Sequence, residues 1–141
     1  MTVLYPFVPP AAIDETVLDA LAQAAASVPQ FRAECRTTGW FDEEVLWLAP
    51  EPAPSFRALT TAVWRAFPDC QPYEGRFDDI VPHLTIGQAA PLEELRAAER
   101  EVMRRLPIAM DVSAIQVMCG TTTPRSWRTV AELPLGTIAN S

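Results

Sequence analysis

Twice along this chain a strand-like run is followed by a helical pattern and then by two more strands, and this repeated order limits the fold more than any other feature. The first run opens at residues 2–8, read as a strand closed by Pro9. Asp14 caps a helix reaching about Val28, because Val17, Leu18, Leu21, Ala25 and Val28 share one helical face. Pro29 ends it. A strand follows from Phe31 to about Thr38, Gly39 turns the chain, and residues 44–49 form the next strand, stopped by Pro50.

The second run opens at VPHLTIGQ, residues 81–88. Pro91 suits the first position of a helix with Glu93 and Glu94 in its first turn and Arg104 and Arg105 in its last. Leu92, Leu95, Val102, Met103 and Leu106 supply its apolar side. After Pro107, Ile108, Met110, Val112 and Ala114 alternate as one strand face, and the alternation then switches to Ile115, Val117 and Cys119, which predicts a bulge. TTTP, residues 121–124, turns the chain into a last strand with Trp127, Thr129, Ala131 and Leu133 on one face. Between the runs lies a helix at 54–67, led in by Pro52 and Pro54, with Phe56, Leu59, Val63 and Phe67 on its buried side. A loop over residues 68–79 follows it.

Two such halves imply an α+β protein, bilobal, with two pseudo-symmetric antiparallel sheets, helices packed outside and a central cleft. The expected division is one domain over 1–141: lobe one about 1–50, lobe two about 81–135, the 54–67 helix between, and a tail at 136–141.

With 141 residues the chain is long enough for a single domain with a substantial core. No stretch approaches the ~20 apolar residues of a membrane span, and no signal-peptide pattern opens the chain, so a cytoplasmic protein is expected. A net charge of -7 argues against a broad footprint for duplex DNA, although a small nucleotide held by a few donors is compatible with it. All eleven basic residues are Arg, which removes Schiff-base and P-loop lysine chemistry. Cys35, Cys70 and Cys119 are odd in number and widely spaced, and His83 is the only histidine. Neither a disulfide framework nor a zinc pattern results. No metal and no cofactor are expected.

Residues two apart on a strand point to one side, so His83 and Thr85 project together while Leu84 and Ile86 face the core. A hydroxyl that donates to a phosphoryl oxygen beside an imidazole that moves a proton suits phosphate chemistry. Taken alone, a histidine beside Pro82 in an apolar run is more often structural. Its context changes that. H-x-T-apolar at the head of a second strand–helix–strand–strand run resembles the two-histidine (2H) phosphoesterases, the 2′-5′ RNA ligase-like family. The stretches TVLYPFVPPAAID, VLWLAPEPAPSFRALTTAVWRAFPDCQPYEGRFDDIVPHLT and SWRTVAELPLG resemble a bacterial subgroup of it.

The resemblance implies two H-x-T/S motifs facing each other across a cleft, and metal-independent cleavage of 2′,3′-cyclic phosphates or 2′-5′ linkages in nucleotides or RNA ends. One histidine would act as general base and the other as general acid. His83 and Thr85 match the second motif, and Thr2 matches the hydroxyl of the first. The first histidine would fall one place before Met1. A start read too late is the expectation, with real loss of the residue as the alternative. In the latter case the protein would be a degenerate enzyme, a non-catalytic nucleotide or RNA-end binder, or an interaction domain with a vestigial cleft.

Further candidates follow from residue type. Tyr5 is a candidate to line the cleft, with core packing the favoured alternative. Trp127 and Trp40 are candidates to stack a base, whereas Trp47 and Trp64 fit core positions. Arg125 is the preferred phosphate contact over Arg128 and Arg36. Phe77, Asp78 and Asp79 precede His83 and would orient it or simply be solvated.

Overall fold

The structure is a computed structural model that describes residues 1–70 and 81–137. Helix α1 (Glu15–Ala26) starts where expected, because the Asp14 carboxylate accepts from the Val17 amide at 3.0 Å and satisfies one of the unpaired donors of the first turn. Strands β1 (Phe31–Phe41) and β2 (Val45–Glu51) form an antiparallel hairpin. Helix α2 (Ala53–Ala66) follows, and β3 (Leu84–Gln88), α3 (Leu92–Met103), β4 (Ile108–Val112), β5 (Ala114–Cys119) and β6 (Arg128–Pro134) complete the order.

The architecture is α+β: three α-helices, a curled four-strand antiparallel half-barrel sheet in the order β3-β2-β1-β4, and a two-strand antiparallel sheet β5-β6. One sheet for each half of the chain is not how the strands distribute. The larger sheet takes β1 and β2 from the first run and β3 and β4 from the second.

Several local expectations are corrected. Residues 2–8 are a series of bends and not a strand. Pro6 has no amide hydrogen for a ladder, and the Val3 carbonyl accepts from Thr60 Oγ1 at 2.8 Å instead. Val3, Leu4 and Phe7 still pack inward, with Phe7 edge-on to Phe67 at 5.0 Å. Gly39 lies inside β1, opposite Trp47, and the turn comes later, at Asp42, whose φ is 52°. Pro50 is within β2, opposite Cys35, beside a register shift between Cys35 and Thr37. Pro91 precedes α3 as its N-cap and is not its first residue. The switch in alternation near Ala114 is a break: after Ser113 the chain leaves one sheet for the other. The tail is anchored at its start, since Leu135 is buried and Gly136 N donates to Val28 O at 2.9 Å while Gln30 N donates to Gly136 O at 3.0 Å. Residues 71–79 of the expected loop, with Phe77, Asp78 and Asp79, lie outside the described residues.

The hydrophobic core has two parts. Leu21, Ala24, Ala25 and Val28 of the first helical region meet Leu59 and Val63 of α2, and Ile115, Val117 and Leu135 close the cluster from the small sheet. On the larger sheet Leu46, Leu48 and Leu95 are buried between β2 and α3. Glu99 of α3 fastens this second layer, accepting from Thr38 Oγ1 at 2.7 Å and from Trp40 Nε1 at 2.9 Å. Helix α3 therefore covers the Thr38–Trp40 side of the sheet and leaves the side of Gly39, Phe41 and Trp47 facing away from it. No helix among the described residues is long and apolar enough to cross a membrane.

Candidate functional site

His83 precedes β3 by one residue and is half-buried. Its Nδ1 lies 2.8 Å from the Val81 carbonyl oxygen. A carbonyl can only accept, so Nδ1 carries the hydrogen, and in the neutral ring the lone pair resides on Nε2. The imidazole also meets Phe41 edge to face, with centroids 4.9 Å apart, and Trp47 at 6.2 Å. It therefore stands on the side of the sheet away from α3.

Thr85 is exposed and pairs across the ladder with Trp47. Directly paired residues of adjacent strands present their side chains to the same face, so the Thr85 hydroxyl and the His83 ring flank one indole. A hydroxyl and an imidazole thus share a face through Trp47, an arrangement for which the H-x-T spacing is the sequence signal.

The remaining candidates divide. Tyr5 and Trp127 come together, edge-on at 6.3 Å, and both are exposed at 59% and 49%. Core packing of Tyr5 is thereby excluded. Trp127 sits against the backbone at Gly120. Arg125 is exposed on the turn two residues earlier with φ 63°. Thr2 is exposed in the N-terminal bends. Burial pushes the Cys35 thiol above its ordinary value, and the charge of the Met1 α-amino group opposes that rise.

Trp40 does not join His83, because its indole is tied to Glu99 on the α3 side. Arg36 is paired with Glu34 at 2.7 Å. Trp64 is 37% exposed, not core, and Trp47 lies beside His83 rather than beneath α3. Sequence reasoning missed Phe41 altogether; its only signal was parity with Gly39 on one strand face. Among the described residues no group of three or more His, Cys, Asp or Glu converges as a metal site would require.

The fold is thus an antiparallel α+β frame that carries one histidine and one threonine side by side on one sheet face. Residues 1–121 match the family model of the 2′-5′ RNA ligase superfamily, and the chain belongs to that superfamily, that of the 2H phosphoesterases. Comparison with curated proteins finds no match. Among solved structures, the crystal structure of TT0787 of Thermus thermophilus is similar with a TM-score of 0.59 at 16% identity, covering 89% of this chain and 73% of that one. At that identity the likeness concerns the fold.

Proposed function

We propose that the protein is a metal-independent phosphodiesterase acting on 2′,3′-cyclic phosphates or 2′-5′ linkages of nucleotides or RNA ends. The observation that carries this reading is the Nδ1 bond from His83 to Val81 in a member of this superfamily. With the hydrogen on Nδ1, proton exchange by the neutral ring falls to Nε2.

In hydrolysis of a cyclic phosphate a water oxygen bonds to phosphorus and one ribose P–O bond breaks. One group removes the water proton and another protonates the departing ribose oxygen. His83 performs one of these steps. Thr85 and Thr2 donate to the phosphoryl oxygens, and Arg125 adds a charged donor. Trp127 stacks the base, with Tyr5 bounding the stacked site at its edge. The family pattern assigns the second proton carrier to a histidine one place before Met1.

The test compares this chain with one extended so that His precedes position 1, with Val in place of Met1. Hydrolysis of a 2′,3′-cyclic nucleotide is followed in chelator, with His83→Ala in the extended form as control. Activity in the extended form that the control lacks is the expected result. Binding without turnover in both forms would refute the enzyme and leave a nucleotide-binding module.

A further inference from the structure

His83 rests on a layered support that the H-x-T motif does not announce. Trp47 pairs with Gly39 on one side and Thr85 on the other. A Cβ placed at Gly39 would stand 2.4 Å from the Trp47 indole carbons, so the ring lies directly over bare β1 backbone. Phe41, two residues along the same strand face, meets that indole at 5.0 Å with the planes 33° apart. The His83 ring then meets Phe41 at an interplanar angle of 84° and Trp47 at 64°. Trp47 Nε1 is buried with no acceptor among the described residues, so packing, and not a hydrogen bond at that nitrogen, sets the angle of the indole.

We propose that Phe41 and Trp47, seated on Gly39, are positioning residues for His83: they hold the plane of the imidazole while Val81 selects its tautomer. The proposal rests on the phosphodiesterase reading for its catalytic consequence, but its structural content stands apart from it. The terminal torsion of a histidine is broad and roughly two-fold. The Val81 hydrogen bond by itself contributes a roughly two- to tenfold preference for the observed ring orientation. Two edge contacts of similar worth multiply that preference. Proton transfer needs this selectivity, since donor and acceptor must meet within about 2.6–3.2 Å.

Because His83 is the only histidine, its ring nitrogen resonances can be read in the whole protein without interference. Phe41→Leu keeps an apolar side chain but removes the edge contact. Gly39→Ala never touches His83 and acts only by displacing the indole. Trp47→Phe decides should either variant fail to fold. Val63→Ala, in the helical core, is the control for lost stability alone. In the native chain the Nδ1–H form should predominate. Phe41→Leu and Gly39→Ala should shift the ring toward an average of both tautomers, and in the extended, active form lower kcat about tenfold with KM within about twofold. Val63→Ala should leave the tautomer signal and KM unmoved. Unchanged His83 resonances in the folded variants would overturn the proposal, as would changed resonances with kcat intact. If no form hydrolyses a cyclic nucleotide, the phosphodiesterase reading fails while the resonances still decide the positioning role.

Discussion

Glu99 is the residue whose loss should most clearly separate fold from function. One carboxylate oxygen accepts from both Thr38 Oγ1 and Trp40 Nε1, and so joins α3 to β1, an interior strand of the larger sheet. Hydrogen bonds to a charged group contribute about 1.5–3 kcal/mol each. Two of them sum to roughly 3–6, and partial exposure of this cluster reduces the expected cost of Glu99→Ala to about 2–4 kcal/mol. For a chain of this size that corresponds to a Tm lower by roughly 5–15 °C. Glu99→Gln keeps an oxygen acceptor without the charge and should cost less than half as much. Urea denaturation of both variants, followed by tryptophan fluorescence, provides the measurement. A loss below about 0.5 kcal/mol for Glu99→Ala would refute the coupling of α3 to β1. Equal losses for the two variants would refute the claim that hydrogen bonding, rather than side-chain packing, carries it.

Three further outcomes follow from the same geometry. Gly136→Ala would place a Cβ 2.5 Å from the Ala26 carbonyl oxygen, so a loss of about 1–3 kcal/mol in urea denaturation is expected if the start of the tail is anchored. Trp127→Ala should raise KM for a cyclic nucleotide about 5- to 100-fold with kcat nearly constant, since base stacking contributes ~1–3 kcal/mol; an unchanged KM would remove Trp127 from the binding surface. The Cys35 thiol is raised by burial, so the fold favours its protonated form. That contribution is fully present below the unfolded value and is lost as pH rises through the folded one. Stability should therefore fall above about pH 9, and Cys35→Ala should flatten the decline when urea midpoints at pH 8 and pH 10 are compared.

Helix α1 was legible because Asp14 and the apolar spacing after it are local signals, resolved within one or two turns of chain. The same holds for α2 and α3 and for the alternation in β5; in β6 it holds for Ala131 and Leu133, whereas Thr129, opposite Met118 beyond a register shift, turns its hydroxyl to Gln116 on the other face. Gly39 and Pro50 misled for the opposite reason. Both residue types commonly end a strand, but here Gly39 admits the Trp47 ring and Pro50 sits beside a register shift. Residues 2–8 have strand composition, yet they join neither sheet, and the Val3 carbonyl accepts from the Thr60 side chain.

The pairing of His83 with Thr85 was carried by sequence alone, since a two-residue spacing and the surrounding H-x-T context depend on nothing distant. What surrounds that pair was not. The Val81 carbonyl that sets the tautomer and the rings of Phe41 and Trp47 reach His83 through a turn of backbone and two ladder registers, which no local pattern encodes. The meeting of Tyr5 with Trp127, 122 positions apart, likewise exists only because the N-terminal bends pack against the small sheet. Residue chemistry and period are properties of the chain. Which side chains share a face across strands depends on register, and register is decided only when the sheet forms.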